Sequence, residues 1–212
     1  MKNRVLFWLF ALFVFTSIII LDNVNPFIHY DGYTDCCCSM NPTFKDGDHF
    51  LTAPEFYDTE PINYGDIVTL KAGAGYLLKR VVGLPGDKIQ ILNGALIVND
   101  ERIEQIQTSE DNIFIEKSNA KISYKIKNSE AEISSENTSP VKLKSNEYYI
   151  LGDNRGNSHD SRAIGPVKRS QILERVFIYS EVWEKLYYYK IKKTFSLISQ
   201  NLTMMKRAIM SQ

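Results

Sequence analysis

Two side chains in this sequence could together run acyl-transfer chemistry. Ser39 lies in the polar stretch Ser39-Met40-Asn41-Pro42-Thr43, directly after Cys36-Cys37-Cys38. Lys79 follows Tyr76-Leu77-Leu78 and precedes Arg80-Val81-Val82. A serine hydroxyl is a weak nucleophile and needs a base to take its proton. Lysine can be that base only as the neutral amine, and burial favours the neutral amine by disfavouring the ammonium form. Strand side chains alternate, so with Arg80 facing out, Lys79 faces the opposite side, toward apolar surroundings. Each residue also has a plainer reading: Ser39 as a turn residue, and Lys79 as a buried lysine paired with a carboxylate. His29 and His49 lie in polar, turn-rich settings and His159 in a polar loop, and no surrounding pattern marks any of them as a base. A Ser–His–Asp set using His159 and Asp160 is disfavoured, because neighbours on one loop rarely aim at the same nucleophile.

These residues need a scaffold, and from His49 onward the pattern is one of strands. Asp66 to Leu70 is a short β-rich run, and Gly75 to Val82 is a second, ended by the turn-forming Gly83-Leu84-Pro85-Gly86-Asp87. Ile89 to Leu92 and Leu96 to Val98 flank Asn93-Gly94, a hairpin signal because both turn residues tolerate positive φ. Tyr148 to Leu151 and Arg175 to Tyr179 are later strands. Residues 101–145 differ: polar, rich in Ser, Asn, Glu and Lys, with β-like pieces at Ile113-Phe114-Ile115 and Lys121-Ile122-Ser123-Tyr124. They read as an inserted β segment or a flexible excursion without obvious chemistry. Asn137-Thr138-Ser139 and Asn201-Leu202-Thr203 match a glycosylation sequon, a pattern that also arises by chance.

Both ends carry apolar elements. Val5 to Leu21 is apolar apart from Thr16 and Ser17, at the lower limit for a spanning helix. Lys2 and Arg4 precede it and Asp22 follows, which keeps the N-terminus cytoplasmic and exports the rest. Leu21-Asp22-Asn23-Val24-Asn25 offers no small-x-small cleavage site, so an uncleaved anchor is expected rather than a signal peptide. The chain from Leu21 to Ser39, fully extended, reaches about 55–60 Å, so Ser39 is expected close to the membrane surface. At the other end Tyr187, Ile191, Phe195, Ile198, Leu202, Met205 and Ile209 form one helical face. Lys190, Lys192, Lys193, Lys206 and Arg207 add charge suited to an anionic membrane or a partner helix, although packing on its own domain serves the pattern equally. The expected organisation is an anchor over 5–21, a mainly β catalytic domain over 22–183 with an insertion over 101–145, and a C-terminal amphipathic helix over 184–212.

Composition narrows the function. The chain has 212 residues and zero formal net charge, with 25 basic and 25 acidic side chains, so electrostatics gives no reason to expect nucleic acid. Three contiguous cysteines are neither a disulfide framework nor a zinc site, whose ligands come as separated pairs. They read most simply as small residues packed beside Ser39.

Four stretches together carry a resemblance. Ser-Met-x-Pro-Thr at Ser39–Thr43, Gly65-Asp66, Lys-Arg-Val-Val-Gly-Leu-Pro-Gly-Asp at Lys79–Asp87, and Gly-Asp-Asn-Arg-x-Asn-Ser-x-Asp-Ser-Arg at Gly152–Arg162 resemble, in order, the motifs of type I signal peptidases. The resemblance spans about residues 5 to 183, and the Gly152–Arg162 run is its most specific part. It implies a Ser–Lys dyad serine protease that removes signal peptides from exported preproteins, with no metal or cofactor. Ser39 matches the nucleophile, Lys79 the general base and Ser158 the serine that orients that lysine. Asp160 and Arg162 match a structural ion pair, and Asp153, Asn154 and Arg155 frame the same loop. The Ser39 N–H would be one oxyanion donor. The implied partners are preprotein signal peptides and membrane lipid. The implied place is a bacterial cytoplasmic (inner) membrane, crossed once, with the catalytic domain on the exported side.

The departures from the family pattern lie just before Ser39. Many members have Ser-Gly there, and that serine hydroxyl is the second oxyanion donor; here the positions are Cys37 and Cys38, and a thiol is the weaker donor. Asp35 stands where an apolar residue often lines the substrate pocket, and Cys36 replaces a frequent proline. Asp35 and Leu78 are the expected substrate-binding positions. Two rival readings follow: a maturation peptidase for a restricted substrate such as a conjugative pilin, and a catalytically impaired homologue that binds preproteins.

Overall fold

The structure, a computed structural model, describes residues 29–31, 37–45, 47–48, 50–73, 75–117, 122–128 and 137–177. The expected anchor and C-terminal helix lie outside them. Among the described residues, no helix is long and apolar enough to cross a membrane.

The described chain is mainly β. Strand β1 (His29–Asp31) is followed by a 3-10 helix (Cys37–Met40), β2 (Phe50–Ala53) and the short helix α1 (Phe56–Thr59). Next come β3 (Ile67–Ala72), β4 (Gly75–Gly83), β5 (Lys88–Leu92), β6 (Ala95–Val98) and β7 (Glu101–Arg102). The 101–145 segment adds β8 (Glu104–Gln107), β9 (Ile113–Lys117), β10 (Ser123–Lys127) and β11 (Val141–Lys142). The chain then gives β12 (Glu147–Leu151), α2 (Ser161–Ile164), β13 (Val167–Lys168) and β14 (Ile172–Phe177). They form a seven-stranded sheet in the order β1-β2-β14-β3-β4-β12-β13, a four-stranded sheet β11-β5-β6-β7 and a three-stranded sheet β10-β9-β8. Every strand pairing is antiparallel.

The large sheet is covered on both faces because successive strand residues point to opposite sides. Val81 of β4 and Ile150 of β12 enter one cluster with Val68, Leu70, Val167 and Phe177. Their neighbours Val82, Tyr149 and Leu151 enter a second with Ile89, Ile91 and Leu96. The expected hairpin is present: Asn93 (φ 50°) and Gly94 (φ 69°) join β5 to β6.

Two sequence expectations change. Arg80 does not face solvent; it is 5 % exposed, because both faces of β4 are covered and a carboxylate, Asp153, meets it inside. Of the two readings of the 101–145 segment, the described residues fit the inserted β one: β8, β9 and β10 form a sheet whose Glu116 and Tyr124 reach the main domain. The second β-like piece of that segment begins two residues later than read, at Ser123, where pairing with β9 starts. The sequon at Asn137 works as backbone-pairing chemistry: Thr138 Oγ1 accepts from the Ile91 N–H and Asn137 Oδ1 from the Asn93 N–H.

Candidate active site

Ser39 is held by its neighbours rather than by its own side chain. It lies in the 3-10 helix, and the next residue, Met40, is fully buried with Phe44, Phe50, Ile67 and Val176. That apolar plug seats the turn. The Phe44 N–H donates to the Met40 carbonyl at 2.9 Å, and the Asn41–Pro42 peptide is cis. From above, Asn154 grips both carbonyls around the serine. Its N–H donates to the Ser39 carbonyl at 3.0 Å and its Nδ2 to the Cys38 carbonyl at 2.8 Å.

Lys79 comes from β4, where it is 2 % exposed and opposite Val68 of β3. Its Nζ lies 2.7 Å from Ser39 Oγ and donates to the Leu78 carbonyl at 2.9 Å. A strand in a sheet covered on both sides and a turn plugged into the core are both rigid mounts. Their meeting places a nucleophile and an amine within hydrogen-bond reach, the first geometric requirement for general-base activation.

The four sequence motifs converge around Arg80. Its Nε and Nη2 donate to Asp153 Oδ1 and Oδ2 at 2.8 and 2.6 Å. Its Nη1 donates to the Gly65 carbonyl at 2.8 Å and its Nη2 to Thr43 Oγ1 at 3.3 Å, while Thr43 Oγ1 also donates to Asp153. Burial works against the Arg80 cation, but the charge and hydrogen bonds of Asp153 outweigh it and raise its affinity for the proton. A two-point guanidinium–carboxylate contact of this kind is strong and directional.

The loop after β12 is fixed at its far end by Asp160. Its Oδ2 accepts from the Gly152 N–H at 2.9 Å, and Arg162 donates Nε to Oδ1 and Nη2 to Oδ2, both at 2.8 Å. Burial would lift this carboxyl, yet the hydrogen bonds and charge of Arg162, with the Gly152 N–H, hold it below the usual carboxylate range. Asp160 also caps α2 by accepting from the Arg162 N–H. Gly152 permits a close approach: a Cβ there would stand 2.2 Å from Ser158 Oγ and 2.5 Å from the Ser39 carbonyl oxygen. No side chain larger than hydrogen fits that gap.

The remaining expected residues fall as follows. Ser158 Oγ is buried and without a hydrogen-bond partner, so no bond from it to Lys79 is present, though it lies near enough to Asp160 to favour that group's charged form. Cys37 opens the 3-10 helix, and its side chain lies outside the description, as does Asp35. Leu78 is half-buried against the Met40 cluster. His159 is exposed, and His49 lies outside the described residues.

Two residues escaped the sequence reading. Glu116 of β9 accepts the whole guanidinium fork of Arg155, with Nη1 donating to Oε1 at 2.8 Å and Nη2 to Oε2. Burial opposes its charge, but Arg155, Gln105 and Tyr124 hold its carboxyl low. Tyr124 of β10 lays its ring 4.2 Å from the Arg80 guanidinium. Nothing local marked either residue, because the burial that makes Arg155 need a carboxylate partner is visible only in the fold.

Comparison with known proteins gives the chain its family. Residues 5–181 match the family model described as signal peptidase, peptidase S26. Signal peptidase IB of Staphylococcus aureus (strain COL) is 30% identical over 177 residues, covering 83% of this chain and 89% of that protein. Signal peptidase I U of Bacillus subtilis (strain 168) is 33% identical over 127 residues, covering 58% of this chain and 60% of that protein. A crystal structure of a signal peptidase I from Enterococcus faecalis V583 aligns over 53% of this chain and 94% of its own, at 22% identity and a TM-score of 0.35, a likeness too slight to argue from.

Proposed function

The chain belongs to the signal peptidase family, peptidase S26, as a type I signal peptidase, and from that premise we propose that it is a serine endopeptidase working through a Ser39–Lys79 dyad. The observation that carries the proposal is the 2.7 Å approach of Lys79 Nζ to Ser39 Oγ. The domain organisation expected from the sequence belongs to the same proposal: an anchor over 5–21, a β catalytic domain over 22–183 with an insertion over 101–145, and a C-terminal amphipathic helix over 184–212. The enzyme crosses a bacterial cytoplasmic membrane once and works on its exported side. Its partners there are preprotein signal peptides and lipid.

Burial favours the neutral Lys79 amine, which takes the Ser39 proton as Oγ attacks the scissile carbonyl carbon. The Ser39 N–H and the Cys37 thiol donate to the developing oxyanion. The intermediate collapses with loss of the C–N bond, and the Lys79 ammonium returns the proton to the leaving amine. Lys79 then takes a proton from water, whose oxygen attacks the acyl ester, and that proton passes back to Ser39 Oγ as the ester breaks. Ser158 orients the lysine during these transfers. Its hydroxyl is buried beside Asp160 without a well-formed hydrogen bond, and a bond to the lysine would relieve that cost. Asp153, Asn154, Arg155, Asp160 and Arg162 hold the loop that holds the serine.

The substrate adds a strand to β4. β12 pairs with β4 at Arg80, Val81 and Gly83, so on that side Gly75 to Leu78 has no partner strand among the described residues. An extended preprotein segment laid there would gain backbone hydrogen bonds and run toward Lys79. Leu78 and Asp35 would line the pocket for its side chains.

The test is cleavage of a model preprotein by the detergent-solubilised full chain beside Ser39→Ala and Lys79→Ala. Cleavage by the wild type and loss in both variants is expected. Cleavage retained in either variant would sink the dyad.

A further inference from the structure

Glu116 plays no part in the steps above, yet it is a fully buried acid carried by the inserted sheet. Beyond the two bonds from Arg155, its Oε1 accepts from Gln105 Nε2 of β8 at 2.9 Å. Arg155 in turn donates its Nε to the Gly152 carbonyl at 3.1 Å. The backbone repeats the link. The Lys127 N–H donates to the Asp153 carbonyl and the Arg155 N–H to the Lys127 carbonyl, each at 2.8 Å, which makes a parallel bridge between Lys127 and Asn154. Asn154 is therefore held on one side by the end of β10 and grips, on the other, the carbonyls of Cys38 and Ser39.

A buried ion pair is a poor source of net stability, since desolvation consumes most of its attraction, and apolar residues of the same volume would serve the core as well. What a fork-to-carboxylate pair supplies is direction, because two parallel hydrogen bonds fix the plane of the guanidinium. Here that plane sets where Arg155 Nε meets Gly152, and so sets the segment that carries Asn154. The path from Glu116 to the Ser39 peptide runs through two side chains and no long loop.

We infer that Glu116 is a positioning residue for Ser39: through Arg155 and Asn154, the inserted sheet sets the place of the peptide that bears the reacting hydroxyl. The inference rests on the reading of Ser39 as the nucleophile. It gives the 101–145 segment a part in the reaction without contact with substrate.

The experiment uses the full chain in detergent and measures steady-state cleavage of a model preprotein alongside thermal unfolding. Glu116→Gln keeps the side chain's size and removes its charge. Its kcat per folded molecule is expected to fall about 10²-fold, the scale of a small misplacement of a reacting group, with KM within about twofold. Glu116→Asp, which keeps the charge one methylene further back, is expected to fall between Glu116→Gln and the wild type. An unchanged kcat per folded molecule in Glu116→Gln would overturn the inference; where that variant does not fold, an unchanged kcat in Glu116→Asp does so. Failure of both to fold makes Glu116 a stability residue and overturns it too. Ser39→Ala is run in parallel: cleavage that survives there removes the nucleophile reading itself, whatever the Glu116 variants do.

Discussion

Arg80 of β4 and Asp153 of the loop after β12 face each other edge to edge, joined by hydrogen bonds of 2.8 and 2.6 Å, with side chains only 6% and 1% exposed. The residue next to Arg80 is Lys79, and the residue next to Asp153 is Asn154. One ion pair thus sets the distance between the strand that carries the amine and the loop that holds the serine.

Breaking that pair leaves a buried charge without its partner, which costs about 3–5 kcal/mol. Arg80→Met and Asp153→Leu are each expected to lower the urea midpoint strongly. The double variant should recover most of the loss, since apolar residues of similar volume replace a buried pair with little penalty. Arg80→Lys should also destabilise, because an ammonium cannot make the two parallel bonds or reach Gly65 and Thr43 as the guanidinium does. Unfolding curves for the four variants check this, and a double variant less stable than either single one would refute it.

A base that must accept a proton cannot be replaced by a group that never loses one. Lys79→Arg keeps a long basic side chain but, unlike the neutral lysine amine, stays protonated at any working pH. It is expected to fold and to lose cleavage by about 10²–10⁴-fold, the usual weight of a general base. His159→Ala should leave kcat within about twofold, since His159 is exposed while Lys79 Nζ is the amine at Ser39 Oγ. Rates for these two variants separate the dyad from any Ser–His–Asp arrangement, and a dead His159→Ala enzyme would reverse the assignment.

Much of the site was legible because its residues have few ways to be satisfied. Gly83 to Asp87 had to turn, and Asp87 does it by accepting from the Leu84 N–H at 2.7 Å. The Gly152–Arg162 run packs Asp, Asn and Arg so densely that only a closed hydrogen-bond network could bury it, and Asp153, Arg155 and Asp160 are indeed buried. The direction of Arg80 was not legible. Alternation along a strand says that Lys79 and Arg80 point to opposite faces, but not that both faces are covered. Glu116 was hidden for another reason. Ile113-Phe114-Ile115-Glu116 reads like any strand ending in a charge, and its partner Arg155 lies 39 residues away. Long-range pairing of that kind leaves no local pattern.

Acid should destabilise this protein only below the ordinary carboxylate range, and the sign follows from the buried acids. Asp160 and Glu116 are both held below the usual carboxylate range by Arg162 and Arg155, against the effect of burial. The unfolded chain therefore binds more protons than the folded one at low pH, and stability rises with pH there. The contribution is fully present above the ordinary carboxylate pKa of about 4 and is lost as pH falls through the depressed folded values. Urea midpoints should therefore hold from about pH 6 to about pH 5 and fall at lower pH. Asp160→Asn should start lower and show a shallower fall. A limb equally steep in Asp160→Asn and Glu116→Gln would assign the acid sensitivity to other groups.

The last prediction concerns the oxyanion. Cys37 opens the 3-10 helix that carries Ser39, two residues before the nucleophile. In the proposed mechanism its thiol donates where related enzymes use a hydroxyl, and sulfur is the weaker donor. An interaction that strengthens only as charge develops should act on kcat and leave KM almost alone. Cys37→Ser is therefore expected to raise kcat, by as much as about 10²-fold where the thiol contributes little of a full donor's effect. Cys37→Ala should lower kcat by the share the thiol does supply. If Cys37→Ser and Cys37→Ala both match the wild type, the second donor is not at position 37, and the Ser39 N–H must be joined by another group. Running the wild type with and without reductant tests the same thiol from the other side. Oxidation would remove the S–H and the donor with it, so an enzyme slowed by oxidation and unaffected as Cys37→Ser would place the oxyanion at that residue.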